Sequence, residues 1–245
     1  MVMISIQEDG VHELSNKGTS EISPAGCIAV VADGMGGVRG GELASSILRD
    51  GILDLVGGSS CPNPEEEQLR NIIDEINFRI LREADAEPNL EGMGTTVTLC
   101  WLKENELMLV NVGDSRLYRL RSNTLEQLSN DQSPVGRLLR EERITVEESR
   151  THPHRNVIDQ AVGSHPEGID PEFASFSMED GDIYLLCSDG LNEELWDHEI
   201  AESLLDALRA EKPLIGAAED LVANTLLAGG KDNVTVILLK VGISS

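Results

Sequence analysis

TTVTLCWLKENELMLVNVGDSRLYRL, residues Thr95–Leu120, holds three apolar runs that are rich in β-branched residues and are interrupted by two short polar stretches. The first two runs, Thr95–Leu102 and Leu107–Val112, are separated by only four residues, which is the length of a hairpin loop. The third run, Arg116–Leu120, follows directly after Gly-Asp-Ser. Strands joined by such short connections pair antiparallel, because a parallel pair requires a crossover of about a dozen residues or more. This stretch therefore predicts an antiparallel sheet.

Strands and helices of the same kind flank this stretch on both sides. Further apolar runs predict strands at Cys27–Ala32, Ile183–Cys187 and Val234–Val241. Apolar residues at helical spacing predict helices over Leu43–Leu55, after the N-cap signal Asn63-Pro64, and from Pro213 to the pair Gly229-Gly230. Helices segregated from antiparallel strands predict an α+β fold in which sheet packs on sheet and helices lie outside.

The chain has the length of one large core, and no segment has the composition of a linker. We therefore predict a single domain over residues 1–245. Residues 130–161 differ from the rest, because they are polar and contain only short helical pieces. We predict that they form an excursion from the core.

Acidic residues outnumber basic residues by 44 to 19, which gives a formal net charge of −25. Such a field repels nucleic acid and anionic membranes and attracts cations and basic segments of partner proteins. No apolar run approaches the roughly 20 residues needed to cross a bilayer, and the first residues lack the pattern of a signal peptide. We therefore expect a cytoplasmic protein without nucleic-acid or membrane partners.

The four cysteines show no CxxC spacing, and three of them lie inside predicted strands. Buried reduced thiols are therefore expected rather than a zinc site or a disulfide framework. The residues are Cys27, Cys61, Cys100 and Cys187.

Four aspartates share one unusual context, the end of an apolar strand beside glycine or another small residue. They are Asp33, Asp114, Asp189 and Asp232. Each Asp-Gly taken alone is more typical of a turn than of a ligand. Four aspartates in this context at strand ends favour a shared site, because converging carboxylates repel one another unless a cation binds between them. Mg²⁺ and Mn²⁺ prefer such oxygen ligands.

Competing catalytic motifs are missing from the sequence. The glycine cluster Gly34–Gly41 does not fit the dinucleotide-binding pattern, and no P-loop motif occurs. The histidines form no HExxH pair, and there is no G-x-S-x-G around a serine nucleophile. A water activated by bound metal is the chemistry that remains.

Seven motifs, in order and at matching spacing, resemble the compact bacterial form of the PPM/PP2C family of protein phosphatases. They are VVADGMGG (Val30–Gly37), GMGTTVT (Gly92–Thr98), VNVGDSRLYRL (Val110–Leu120), LSNDQSPV (Leu128–Val135), RNVIDQAVG (Arg155–Gly163), LLCSDGL (Leu185–Leu191) and GGKDNVTVILLKV (Gly229–Val241). The resemblance covers the chain from about Cys27 to its end.

The resemblance implies an α-β-β-α sandwich of two antiparallel sheets with two Mn²⁺ or Mg²⁺ ions at one end. By the family's pattern, Asp33 bridges both ions, Gly34 offers its carbonyl oxygen, and Asp189 and Asp232 complete the first ion's shell. Asp114 corresponds to a third, looser metal position shared with Asp189. The excursion at residues 130–161 matches the family's flap, which lies beside the active site and influences substrate choice.

The departures from the family lie near the N-terminus. Family members begin with R-x-x-N-E/Q-D, whose arginine binds the phosphate and whose acid binds the second metal. Here Ile4 stands in place of the arginine, and only Gln7-Glu8-Asp9 resembles the end of the motif. Glu8 and Asp9 are therefore the candidate metal ligands, with a frayed acidic terminus as the alternative. Arg39 is the candidate substitute for the phosphate contact.

The resemblance implies hydrolysis of phosphoserine and phosphothreonine in proteins by a hydroxide that bridges two metal ions, with Asp33, Asp189 and Asp232 as the catalytic residues. The implied setting is signalling, with phosphoproteins as substrates, basic sequence around the phosphosite and a cognate Ser/Thr kinase. Two alternatives remain open. One is a catalytically weakened phospho-binding protein, a pseudophosphatase, and the other is a phosphatase of small phosphorylated metabolites.

Overall fold

The computed structural model describes residues 2–7, 10–13, 26–58 and 66–242. Within these ranges the strands are β1 (Val2–Gln7), β2 (Gly10–Glu13), β3 (Cys27–Val31), β4 (Gly34–Met35), β5 (Gly94–Thr95), β6 (Val97–Lys103), β7 (Glu106–Val112), β8 (Arg116–Arg121), β9 (Thr124–Gln127), β10 (Glu172–Ser177), β11 (Ile183–Cys187) and β12 (Val236–Lys240). The helices are α1 (Gly37–Gly58), α2 (Glu66–Ala86), α3 (Pro134–Arg140), α4 (Val146–Thr151), α5 (Asp189–Asn192), α6 (Asp197–Arg209) and α7 (Leu214–Ala228), with a 3₁₀ turn at Pro88–Leu90.

The strands form two large antiparallel sheets. One has six strands in the order β10-β7-β6-β3-β1-β2, and the other has four in the order β12-β11-β8-β9. The predicted hairpin is β6–β7, which pairs from Val97 with Val112 to Lys103 with Glu106. The next strand, β8, belongs to the other sheet, so the chain crosses between sheets within Gly113–Ser115.

The side chains of the central strands β3, β6, β7, β8 and β11 alternate between two hydrophobic layers. In β3, Ile28 and Val30 face the helices α1 and α2, whereas Ala29 and Val31 face the second sheet. In β11, Tyr184 and Leu186 complete the layer between the sheets. The outer face of the four-stranded sheet packs against α6 and α7. The predicted α+β fold, an α-β-β-α sandwich, is confirmed.

Two predicted strands are shorter than their apolar runs because backbone amides at one end donate to groups outside the main sheets. The run from Thr95 is divided, since β5 pairs with β4 and the amide of Thr96 donates to Asp33 O at 2.8 Å. The run from Val234 begins as a strand only at Val236, because the amide of Thr235 donates to Ser188 Oγ at 3.1 Å.

Several elements were not predicted. Strands β2 and β9 have only four residues, β10 alternates polar and apolar residues, and α6 is rich in acidic residues, so apolar runs did not reveal them. Strand β1 was not predicted either, although its sequence VMISIQ is largely apolar. Helix α1 begins six residues earlier than predicted, inside the glycine run. Helix α7 follows Pro213 and ends at Gly229, as predicted. The N-cap signal Asn63-Pro64 lies outside the described residues, although the helix expected after it is present as α2.

Cys27, Cys100 and Cys187 are buried free thiols, as predicted, and Cys61 lies outside the described residues. Burial raises the pKa of Cys27 to about 11 and that of Cys187 to about 12, so these thiols are protonated near neutral pH. None of the described helices combines the length and the apolar character that crossing a bilayer requires.

The flap, residues 130–161, contains α3 and α4 and is closed at its base by backbone hydrogen bonds. Asp159 N donates to Gln132 O at 2.7 Å, and Gln132 N donates to Gly113 O at 2.9 Å. Directly after the flap, Val162 forms an antiparallel bridge with Thr95. Both ends of the flap are therefore anchored beside the crossing between the two sheets.

Candidate metal centre

The four predicted aspartates lie at one edge of the sandwich because of the strand register. β3 and β7 each pair antiparallel with β6, so both end at the same edge. β8 begins at that edge, and Cys187 at the end of β11 pairs with Arg116 at the start of β8. Cys187 also pairs with Val236, the first residue of β12. The loops that carry Asp33, Asp114, Asp189 and Asp232 therefore meet there.

A chain of hydroxyl groups joins the backbone of Asp33 to Ser115, the residue after Asp114. The amide of Asp33 donates to Thr96 Oγ1 at 3.0 Å, and Thr96 Oγ1 is 2.8 Å from Ser115 Oγ. Thr95 Oγ1 donates to the carbonyl oxygen of Asp33 at 3.0 Å. The backbone of Asp33 is thus satisfied by neighbours, which leaves its carboxylate available for other contacts.

Asp189 and Asp232 are held in a similar way. Ser188 Oγ donates to Asn233 O at 3.3 Å, and the amide of Ser188 donates to Thr235 O at 3.2 Å. Gly190 packs so closely on this loop that a Cβ there would lie 2.2 Å from Asn233 O and 3.6 Å from the Cβ of Asp232. Only glycine permits this approach.

The carboxylates of Asp33 and Asp189 lie within hydrogen-bonding reach of each other. The pKa of Asp33 is raised to about 7, mainly by burial and further by the charge of Asp189, the hydrogen bond with it and the charge of Asp232. Burial and the charge of Asp232 likewise raise the pKa of Asp189, although the hydrogen bond opposes this. Without a cation, the two groups are best accommodated by sharing a proton.

Asp114 belongs to the same electrostatic cluster. Burial, followed by the charges of Asp189 and Asp131, raises the pKa of Asp114 to about 7, and Arg116 opposes the shift. Asp131 is itself bound by Arg116, whose Nε and Nη2 donate to it at 2.9 and 2.7 Å. This bidentate pair links the start of the flap to β8.

The donor set fits a hard divalent cation. Asp189 Oδ1 is buried and has no hydrogen-bond partner, although a buried carboxylate oxygen needs a donor or a cation. Asp232 Oδ1 accepts from the amide of Asn233 at 2.7 Å. Within the described ranges, no group of three or more His, Cys, Asp or Glu side chains is arranged to hold a metal ion by itself. Ions that retain several waters and use one or two carboxylates match this arrangement, as Mg²⁺ does.

The remaining predicted ligands are placed as follows. Gly34 lies in β4 and touches Gly41 of α1, where a Cβ on Gly34 would be 2.0 Å from Gly41 O. Arg39 lies in the first turn of α1, is largely exposed and donates to Glu87 at 3.3 Å. Glu8 and Asp9 lie outside the described residues. The metal and phosphate roles of all four stay predictions.

Comparison with known proteins identifies the family. The family described as Protein phosphatase 2C matches residues 16–224. The chain belongs to the protein phosphatase 2C family. The predicted resemblance is thereby confirmed.

Similar phosphatase 2C proteins cover nearly the whole chain. The serine/threonine phosphatase stp of Listeria welshimeri is 34% identical over 232 residues, which are 94% of this chain and 90% of the relative. The structure of the serine/threonine phosphatase Stp1 from Staphylococcus aureus matches with a TM-score of 0.79 at 33% identity, over 88% of this chain and 84% of Stp1. The catalytic domain of the serine/threonine protein phosphatase PstP, in complex with two manganese ions, matches with a TM-score of 0.74 at 33% identity, over 94% and 96% of the two chains.

The site of this phosphatase 2C chain contains a carboxylate that sequence analysis missed. Partial burial raises the pKa of Glu193, and the negative charges of Asp189 and Asp232 raise it further. The positive charge of Arg155 opposes this shift. Glu193 follows Asp189 by four residues, one turn along a helix, and that spacing was its signal in the sequence. Arg155, whose charge acts on Glu193, lies in the flap and had no comparable signal in the sequence.

Proposed function

We propose that this chain hydrolyses phosphoserine and phosphothreonine in proteins, and that it does so with bound Mn²⁺ or Mg²⁺. The observation that carries the proposal is the cluster of Asp33, Asp114 and Asp189, whose charges cannot coexist unless protons or cations neutralise them. The unpartnered Oδ1 of Asp189 indicates a cation.

Asp33, Asp189 and Asp232 would hold two ions, with Gly34 contributing its carbonyl oxygen, and Glu8 and Asp9 the remaining ligands. Asp114 would hold a third, looser ion together with Asp189. When bound, such ions lower the pKa of a water molecule toward neutrality and offset the charge that develops on the phosphate oxygens.

The contribution of the protein is positioning. The hydroxyl of Thr96 accepts a hydrogen bond from the backbone amide of Asp33 and so fixes Asp33. The hydroxyl of Ser188 donates to Asn233 O and so fixes the loop of Asp232. Both hydroxyls are buried, so these contacts hold the carboxylates in place with little exchange with solvent. Asp33, Asp189 and Asp232 are accordingly the proposed catalytic residues, with Arg39 as the proposed phosphate contact.

Phosphoproteins are the proposed substrates, as the names of the relatives suggest for those proteins. The net charge of −25 favours basic sequence around the phosphosite, although salt screens this attraction beyond about 8 Å. A cognate Ser/Thr kinase would supply these substrates. We further propose that residues 1–245 act as a single phosphatase domain with the flap beside the site.

The test is the Asp33→Asn variant, assayed with a phosphopeptide and with p-nitrophenyl phosphate in Mn²⁺. We expect kcat/KM to fall by about a thousandfold or more, because metal-centred charge stabilisation is worth several kcal/mol. Asp85→Asn, the same change on the exposed face of α2, should leave activity unchanged. Normal turnover by Asp33→Asn would contradict the assignment.

The alternatives give different results in the same assay. A wild-type chain that binds phosphopeptide but shows no Mn²⁺-dependent turnover would be a phospho-binding protein. Faster turnover of sugar phosphates than of phosphopeptides would indicate a metabolite phosphatase.

A further inference from the structure

The flap helix α4 reaches the connection between α5 and α6 through one side chain, Arg150. Its Nη1 donates to Glu193 O at 2.9 Å, and its Nη2 donates to Asn192 O at 2.9 Å and to Leu195 O at 2.5 Å. These carbonyl groups follow the last turn of α5, where helical partners are missing. Arg150 therefore caps the C-terminus of the helix that begins with Asp189.

The guanidinium of Arg150 also lies over the indole of Trp196, with its central carbon 4.0 Å from the ring centroid. Half-burial of Arg150 removes water from this contact, which strengthens both the cation–π attraction and the hydrogen bonds. A planar guanidinium makes these contacts together, whereas a lysine ammonium cannot both stack and span three carbonyls.

The connection held by Arg150 is continuous with the metal centre. The amide of Glu193 donates to Asp189 O at 2.8 Å, and the neighbouring Glu194 pairs with Lys231 at 3.1 Å in the loop that carries Asp232. The side chain of Glu194 is only 7% exposed. A movement of this connection would therefore be transmitted to both sides of the site.

The other hydrogen bonds that join the flap to the rest of the described residues lie at its base, at Asn130, Asp131, Gln132 and Gln160. Among the described residues, the hydrogen bonds between α4 and other elements are formed by the side chain of Arg150. Without Arg150, α4 would keep its own capping box at Thr145 and Glu148 but lose its hold on the core.

We propose that Arg150 is a positioning residue that fixes the flap against the α5–α6 connection, and that this tether selects for phosphoprotein substrates over small phosphate esters. The selectivity follows because a protein substrate must contact the flap as well as the metal centre, whereas a small ester needs only the metal centre. The proposal rests on the proposed function.

The test compares Arg150→Ala, Arg150→Lys and Trp196→Phe with Arg143→Ala, a matched control. Arg143 lies between α3 and α4, is 67% exposed and pairs only weakly with Glu141 at 3.4 Å. Two quantities are measured for each variant: hydrogen exchange of the α4 amides, and kcat and KM for a phosphopeptide and for p-nitrophenyl phosphate in Mn²⁺.

For Arg150→Ala we expect amide exchange in α4 to rise by about tenfold or more, because the helix opens locally when its anchor is lost. KM for the phosphopeptide should rise by about tenfold, while kcat/KM for p-nitrophenyl phosphate stays within about threefold of wild type. Arg150→Lys should resemble Arg150→Ala. Trp196→Phe, which keeps an aromatic face, should retain most of the wild-type values.

Each contrary outcome identifies what fails. Unchanged exchange in Arg150→Ala would overturn the tether. Increased exchange with equal losses on both substrates would overturn its role in selectivity. A wild-type chain inactive on both substrates would overturn the proposed function and the selectivity with it, while the exchange data would still decide whether the tether exists.

Discussion

At the scale of single residues, the four aspartates differ in what their backbones require. Thr95 and Thr96 satisfy the backbone of Asp33, so no turn there needs an acidic side chain. Asp232 is different, because its Oδ1 accepts from the next amide, as aspartates in turns commonly do. A role in a turn therefore explains in part why an aspartate stands at Asp232, but it explains little of why one stands at Asp33.

Asp114→Asn should lower phosphatase activity less than Asp33→Asn does. Asp114 is proposed to hold only the third, looser ion, whereas Asp33 is proposed to help hold the other two, so removing the charge of Asp114 affects less of the metal centre. We expect a loss of about tenfold to a hundredfold in kcat with tight Mn²⁺ binding unchanged, measured by calorimetric titration. Equal losses in the two variants would argue against a separate third metal position.

Gly190→Ala should weaken Mn²⁺ binding without unfolding the protein. The added Cβ would meet Asn233 O at 2.2 Å, so the loop of Asp232 must move away from Asp189. We expect Mn²⁺ affinity to fall by about tenfold or more, the range seen when residues that position metal ligands are changed. Gly216→Ala on α7 is the control, because its Cβ meets nothing closer than 4.0 Å. Unchanged Mn²⁺ affinity in Gly190→Ala would show that the loop is not held by this contact.

At the scale of secondary-structure elements, one buried carboxylate joins β8 to the turn before β11. Asp182 is 1% exposed and accepts from Arg121 at 2.6 and 2.7 Å, from the amide of Glu179 at 2.8 Å and from the Tyr184 hydroxyl at 3.1 Å. Burial raises the pKa of Asp182, but the hydrogen bonds from Arg121, Glu179 and Tyr184 outweigh it, so the pKa is lowered overall. This network lies at the opposite end of β11 from the metal centre.

Asp182→Asn should lower the free energy of unfolding by about 3 kcal/mol, because it leaves Arg121 without its main partner. Thermal unfolding should show a Tm lower by roughly 6–12 °C. Because the folded pKa of Asp182 is lowered, its stabilisation is present above the unfolded pKa and is lost as the pH falls through the folded pKa. The difference in Tm should therefore shrink in acid.

The control for Asp182→Asn is Asp206→Asn. Asp206 pairs with Arg209 on the surface of α6, where both side chains are more than 70% exposed. Such pairs contribute little to stability, so Tm should stay within about 2 °C of wild type. An equally small effect of Asp182→Asn would show that the buried network is dispensable.

At the scale of the whole molecule, the excess of acidic residues and the carboxylate cluster both lower the stability of the folded protein as the pH rises. Asp33 and Asp114 have folded pKa values of about 7 against 3.8 in the absence of structure. Between these values the folded state keeps protons that the unfolded state has released, so stability falls as the pH rises. Binding of a divalent cation to the ionised carboxylates would reverse this trend.

The metal-free protein should therefore lose thermal stability between about pH 4 and pH 7, and Mn²⁺ should restore it. We expect Mn²⁺ to raise Tm by about 4 °C or more at pH 8 and by much less at pH 5, where protonated carboxylates bind metal poorly. The double variant Asp33→Asn, Asp114→Asn isolates the cluster from the general surface charge. Equal Mn²⁺ effects on Tm in the double variant and the wild type would place the stabilising ion elsewhere.

The sequence predicted the strands whose pattern is strong and missed those whose pattern is weak. The hairpin at Lys103–Glu106 and the strand Ile183–Cys187 were found because their apolar runs and turn are local features. Strand β10 was missed, since its alternating polar residues carry little apolar signal. Its strand conformation comes from pairing with β7, more than 60 residues earlier in the chain.

Residue types and local spacing were enough to predict the family, the antiparallel sandwich and the position of each aspartate at a strand end, because these features depend on motifs of a few residues. The supports that hold the site depend on the tertiary structure, since only the folded chain brings Thr96 to Asp33 and Arg150 to the end of α5. These contacts join residues 63 and 42 positions apart, and their meeting depends on strand register and helix direction. Composition and local periodicity carry no information about such meetings, since the same residue types would fit an exposed surface equally well.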